Sequence, residues 1–395
     1  MPKNKATLPS VFLLGEEASN AHGGGDSSTS PTLFRAAVAF GAIKAVGIAF
    51  LAAYSAFKGK DALVLLSARW DSLWYSRVAD FGYGFSIQAP DGRHLSSMAF
   101  FPLLPLLEKS AGLLGISSSN AGLVISLVAS LVAATGLFLL GRYVHSAKAG
   151  YLLVCLWASL PVSIVQSMAY SESLFVALSS WALYAALRER WVTAGLLAFF
   201  AGLTRPVGLA VGAAVIVAVL LAMRSARIPP NLRGNGRILF ACIISPLGAV
   251  GYILWVGLRR GDPFGYFQVQ AEWGNGFDGG VNFSRFLAEP IWDSWILVAL
   301  FMAGIICLAA LPHVILFRQG QPMPLIVYSA MVTLLAVGAS GYFGSKPRLL
   351  IPAFPLLLPL AISMARSKRT LPWIVMATLV SAVYGAFWLN GSGPP

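Results

Sequence analysis

Apolar runs of about helix-spanning length, separated by short polar breaks, recur along most of the chain. The first runs from Leu33 to Phe57 and is interrupted only by Lys44. Further runs occupy 121–141, 149–168, 172–188, 191–204, 206–223, 238–258, 294–317, 324–341, 348–365 and 371–390, and with the first they predict about eleven transmembrane helices. Each is long enough to approach or cross a hydrocarbon core of ~30 Å, although 191–204 is short. A transmembrane β-barrel would show alternating segments of ~10 residues instead of continuous apolar runs. Helices satisfy their own backbone in lipid, so the expected fold class is all-α, a polytopic integral membrane protein.

Composition sharpens this picture. Of 395 residues, 57% are hydrophobic and 11% charged, against roughly 25% charged in soluble domains. That is too little charge to cover a soluble surface, and it excludes both a soluble enzyme and a disordered chain. Residues 1–33 are rich in Gly, Ser, Thr and Asn and lack the apolar core and cleavage site of a secretory signal, so they read as a disordered tail. Residues 34–391 read as a single transmembrane domain. The three cysteines show no paired spacing and the four histidines are scattered. Neither a disulfide framework nor a metal site is expected.

A net charge of +13 invites a nucleic-acid reading, yet the basic residues do not gather on a soluble domain; in a membrane protein they report orientation. If 99–114 does not span, the loops sort into one side with 15 basic and 4 acidic residues and another with 12 basic and 11 acidic, Lys44 lying between. The first side is then cytoplasmic, with the N-terminus. The segment 99–114, with two prolines and the pair Glu108 and Lys109, becomes an interfacial helix on the outer face. Most carboxylates fall outside, in the long loops 58–120 and 259–293, and chemistry is expected there.

Four stretches carry candidate chemistry. The first, ARWDSLWYSRVADFGYG, has helical spacing that puts Trp70, Trp74 and Arg77 on one face and Asp71, Tyr75 and Val78 on the adjacent one. Such rings suit sugar binding, and equally an aromatic belt at the bilayer boundary. Asp71 is either the ion-pair partner of Arg69 or a general base for an acceptor hydroxyl. In the second, AYSESLFVALSS, Tyr170, Ser171, Glu172 and Ser173 cluster at a helix start, where Ser171 suits an N-cap and Glu172 the first turn. The third comprises GLTRPVGL and GSKPRLLIPAF, which set Arg205, Lys346 and Arg348 at outer helix starts, positions fit for a phosphate or for headgroup anchoring. The fourth, DPFGYFQVQAEWG, interleaves Gln270 and other planar polar groups with aromatics such as Trp273.

Together RWDSLWYSRVADFGYG, MAFFPLLPLL, the stretch from YSESLF to GLTRPVGL, QVQAEWG and KPRLLIPAFPLL resemble, in order, the class V GPI mannosyltransferase family and its prokaryotic homologues in the glycosyltransferase C superfamily. The resemblance covers about residues 60–360. It implies a fold of that superfamily, with interfacial helices in the first outer loop. It also implies transfer of mannose from polyprenyl-phosphate mannose to a glycolipid acceptor at the outer face of the plasma membrane. A phosphatidylinositol mannoside or a GPI-like lipid is the expected acceptor. By the same resemblance Asp71 takes the place of the catalytic base. Arg205, Lys346 and Arg348 become candidates for the donor phosphate. Arg69, Trp70, Tyr75, Tyr170, Ser171, Glu172, Gln270 and Trp273 become candidates for the sugar and acceptor. The donor and acceptor are substrates, no cofactor is expected, and no partner subunit is indicated by the sequence.

Single displacement would invert the anomeric centre, with cationic side chains supporting a leaving group that is already anionic. Asp71 and Asp80 are nine residues apart and form no DxD-type pair, so a metal-bound nucleotide sugar is not expected. A transporter or flippase for a lipid-linked sugar is the alternative. Against it, no repeated pair of broken helices marks two transporter halves.

Overall fold

The computed structural model describes residues 29–89, 91–225, 227–228, 235–282, 310–341 and 345–393. The tail 1–28, the outer-loop residues 283–293 and most of the expected span 294–317 lie outside them. Among the described residues, four helices are long and apolar enough to cross a membrane: α1 (Thr29–Phe57), α5 (Ser118–Val144), α10 (Gly236–Arg260) and α15 (Leu371–Asn390). The chain is a multi-pass membrane protein. Between them stand shorter apolar helices, α6 (Ala147–Ala158), α7 (Glu172–Leu187), α8 (Trp191–Gly202), α9 (Gly208–Arg224), α12 (Met323–Gly338) and α14 (Leu358–Arg366).

Two expected spans are not continuous helices. The run 149–168 is helical only to Ala158. Pro161 follows, and the chain continues as a buried irregular stretch with a 3₁₀ turn at Ser163–Ser167. Irregular backbone at membrane depth needs protein partners, and it has them. Lys44 donates to the Ser163 carbonyl at 2.7 Å, Ser381 to Leu160 at 2.7 Å and Ser173 to Gln166 at 2.9 Å. The second case, 348–365, is divided by Pro352, Pro355 and Pro359 into the single turn α13 (Lys346–Leu349), a 3₁₀ turn at Phe354–Leu357 and α14.

Between α1 and α5 the long loop 58–117 folds as α2 (Ala62–Ser67), α3 (Asp71–Phe81), a hairpin of β1 (Ser86–Gln88) and β2 (His94–Ser96), and α4 (Leu103–Gly112). Helix α4 falls in the stretch expected to lie at the interface. At ten residues it is about 15 Å long, half a bilayer core. The hairpin and an isolated bridge between Phe277 and Ala339 are the departures from an all-helical fold among the described residues. The signal for the hairpin, a PDG turn between SIQ and HLS, is short but readable. The short helix α11 (Gly265–Glu272) follows α10 and packs on β2 and the adjoining 3₁₀ turn Ser97–Ala99.

Small residues bring the helices around the site close together. Where α8 crosses α10, Gly202 faces Ala249, and a Cβ there would stand 2.5 Å from the Ala249 nitrogen. Two backbones in contact hold the end of α8 firmly, and with it the turn that carries Arg205.

Candidate active site

The long loop between α1 and α5 turns at Trp70, whose φ of +53° is strained for a side chain of that bulk. Neighbouring contacts hold the strain in place. The Arg69 guanidinium lies 3.8 Å from the Trp70 ring centroid and donates to the carbonyls of Leu389 and, at 2.6 Å, Gly391. Lys60 donates to the Asn390 carbonyl at 2.7 Å. Cations from the first loop thus cap the C-terminal end of α15, where the helix dipole favours them. Trp70 precedes α3 instead of lying within it, which corrects the helical face expected for Trp70, Trp74 and Arg77. Arg69 is engaged with α15, so the local pair of Arg69 with Asp71 does not form.

The partner of Asp71 is Arg348. Its Nη1 stands 2.8 Å from Asp71 Oδ2, while its Nε is 3.3 Å from Glu172 Oε1. The same Glu172 oxygen meets Arg205 Nη1 at 2.5 Å. Four residues from distant parts of the chain therefore form a row of alternating charge, Asp71, Arg348, Glu172 and Arg205. The Arg348 guanidinium sits 5.1 Å from the Tyr170 ring centroid, and the Tyr170 hydroxyl accepts from the Asp71 amide at 3.3 Å. Exposure differs sharply along the row: the Glu172 side chain is 1% exposed, Arg348 10% and Asp71 26%. Arg348 Nε and Nη1 are ion-paired by distance, yet neither buried nitrogen makes a directed hydrogen bond.

Each side chain is fixed by its surroundings. Asp71 opens α3, where the helix N-terminus favours a carboxylate. Glu172 opens α7 in the same way, and two guanidiniums offset the cost of burying it. Ser171, expected as an N-cap, makes no capping bond. Its hydroxyl lies 2.8 Å from the Tyr75 hydroxyl and 3.4 Å from Arg205 Nη1. Burial pushes the Tyr75 phenol well above its ordinary pKa, so it stays a neutral hydrogen-bonding group. Arg348 is held from both sides. Lys346 donates to the Ala336 and Ala339 carbonyls at the end of α12. Beyond Arg348, Trp157 donates to the Ile351 carbonyl at 3.3 Å and Tyr328 to that of Pro352 at 2.9 Å.

The structure therefore brings Asp71, Tyr75, Tyr170, Ser171, Glu172, Arg205 and Arg348 together. Arg69 and Lys346 are committed to helix-end carbonyls. Gln270, which donates to the Ala99 carbonyl at 3.4 Å, and Trp273 join the loop after α1 to the loop after α10. Trp273 Nε1 donates to the Ser96 carbonyl at 3.0 Å, and its ring meets Trp74 edge-on at a centroid distance of 4.8 Å. Gln270 Nε2 donates to the Tyr266 hydroxyl at 3.1 Å. Trp74 stacks on Phe100 and Phe85 at 5.5 Å, so these rings form a packed cluster above α3.

Glu108 lies outside the set of residues that the sequence points to. It is fully buried on α4 facing Gly122, and neither carboxylate oxygen has a hydrogen-bond partner among the described residues. Burial, with a smaller effect of the nearby Asp80 charge, pushes its pKa up to about 9. It is a neutral acid at neutral pH.

No family model matches the chain, and no curated protein matches it. Similar solved structures include ArnT from Cupriavidus metallidurans bound to undecaprenyl phosphate, at 15% identity and a TM-score of 0.49 over 78% of this chain and 57% of that one. Another is the archaeal oligosaccharyltransferase AglB from Archaeoglobus fulgidus in complex with an inhibitory peptide and a dolichol-phosphate, at 12% identity and a TM-score of 0.48 over 90% of this chain and 56% of that one. Likeness at this level carries no argument about the reaction, and the chain spans just over half the length of either structure.

Proposed function

We propose that the protein is an inverting mannosyltransferase that moves mannose from polyprenyl-phosphate mannose to a glycolipid acceptor, a phosphatidylinositol mannoside or a GPI-like lipid. The reaction takes place at the outer face of the plasma membrane, within a bundle of about eleven spans whose N-terminus is cytoplasmic. One observation carries the reading: a partly exposed carboxylate, Asp71, at the end of a row that holds one buried and one part-buried guanidinium. A base beside fixed cations is what transfer from a glycosyl phosphate requires.

In this mechanism Asp71 takes the proton from the acceptor hydroxyl as its oxygen attacks the anomeric carbon. The bond from that carbon to the phosphate oxygen breaks on the opposite face, and its electron pair passes to the phosphate. Arg348 and Arg205 stabilise the charge that gathers there. Tyr75, Tyr170 and Ser171 line the approach to the sugar. Arg69 and Trp70 act through the loop they brace, Lys346 through the turn that carries Arg348, and Gln270 and Trp273 through the joined outer loops.

The test is a transfer assay with the purified full chain, polyprenyl-phosphate mannose and a panel of inositol phospholipids, with and without chelator. Chelator-resistant mannosylation is expected, falling about 10²–10⁴-fold in Asp71→Asn. Normal turnover by that variant overturns the base assignment. Silence with every acceptor, accompanied by movement of the donor across liposomes, overturns the enzyme in favour of a flippase.

A further inference from the structure

The row of charges raises a question that the reaction alone does not answer. Asp71 must be free to accept a proton, yet in the structure it is paired with Arg348, and Arg348 must be free to meet a phosphate. The two carboxylates and two guanidiniums also cancel, so the row as it stands has no net charge with which to attract an anion. We propose that the lipid-linked phosphate displaces Asp71 from Arg348, so that donor binding itself releases the base and the acceptor reacts only after the donor is seated. This rests on the glycosyl-phosphate reading above and adds to it an order of events.

Three observations support the exchange. First, the pair is asymmetric. Glu172 is sealed and faces two guanidiniums, whereas Asp71 is 26% exposed and has one. When an anion arrives, Asp71 is the carboxylate that can leave, because water can take over its solvation. Second, Arg348 Nε and Nη1 are buried without a directed hydrogen bond. Buried donors with unfilled directional capacity favour a ligand that aligns with them, and a phosphate presents oxygens at the spacing of a guanidinium fork. Third, the guanidinium does not depend on Asp71 for its position. Glu172, the Tyr170 ring and the anchored turns on either side remain when Asp71 departs. Glu172 is thus a positioning residue, acting through the two arginines.

The proposal makes an unusual demand on Asp71→Asn: the variant that loses transfer should bind the carrier more tightly. The full chain in nanodiscs is titrated with a polyprenyl monophosphate, for wild type, Asp71→Asn and Glu172→Gln. Removing the competing charge should tighten the carrier about 5- to 100-fold in Asp71→Asn, the usual range for coupling between two interacting ligands. Glu172→Gln should weaken it. Unchanged or weaker carrier binding by Asp71→Asn overturns the exchange and leaves the proposed reaction standing. Carrier binding by none of the three proteins overturns the donor reading, and the exchange with it. Wild-type kinetics give a check independent of any variant. With the donor adding first, the free carrier phosphate inhibits competitively against donor and non-competitively against acceptor. Non-competitive inhibition against donor overturns the order.

Discussion

Replacing Glu172 by Gln separates a residue that holds arginines from one that touches sugar. The carboxylate is 1% exposed and lies 2.5 Å from one guanidinium and 3.3 Å from another. Without its charge, Arg205 and Arg348 share a single carboxylate, Asp71, in a site largely closed to water. Removing one member of a buried ion pair costs about 3–5 kcal/mol, chiefly because the charge left behind is not compensated. The double variant Glu172→Gln/Arg205→Gln removes both members, so its loss should fall short of the summed single losses by about 2 kcal/mol or more. The assay is reversible unfolding in mixed detergent micelles, followed by tryptophan fluorescence. A loss under about 1 kcal/mol for Glu172→Gln, additive with Arg205→Gln, would refute the reasoning. Abolished transfer in such a well-folded variant would return Glu172 to the sugar pocket.

Three further outcomes are expected. The pKa of Glu108, about 9, lies above the ordinary carboxylate value of 4.5. Its contribution to stability is therefore complete below pH ~4.5 and is lost as pH rises through about 9. Thermal stability should decline across that window, and Glu108→Gln should flatten the decline. Arg69→Ala strips two donors from the carbonyl end of α15 and should cost about 1–3 kcal/mol, with faster amide exchange at 386–391 as the local sign; unchanged exchange would contradict the capping role. Asp71→Asn should leave amide exchange across α3 as in wild type while removing transfer, because the Asn oxygen can still face Arg348; faster exchange there would mean that the lost activity reports unfolding.

Much of this arrangement is legible in the sequence. The long apolar runs mark α1, α5, α10 and α15 directly. Charge bias puts Asp71, Glu172, Arg205 and Arg348 on one side of the membrane, and in the structure those four meet. Pairing is what the sequence conceals. Arg69 is two residues from Asp71, and proximity along the chain suggests a bond between them. The reversal at Trp70 turns Arg69 toward α15 instead, and Asp71 toward an arginine 277 positions away. Lys346 and Arg348 look equivalent in KPR, but one turn of helix sends the first to the end of α12 and the second to the site. The breaks within 149–168 and 348–365 were written in their prolines. Hydropathy averaged over a span hides them, because a buried irregular stretch is as apolar as a helix.

The fastening of the Arg69 loop to α15 also sets a timetable for biosynthesis. Arg69 and its acceptor Leu389 are 320 residues apart, an interval of roughly 16–64 s at a synthesis rate of about 5–20 residues per second. The loop that carries Asp71 leaves the ribosome that long before its brace. Until α15 is inserted, the strained turn at Trp70 lacks the contacts that hold it, and the base has no fixed place. A chain made only as far as α12 would therefore be unable to act on any carrier lipid beside it, and competence would arrive with α15.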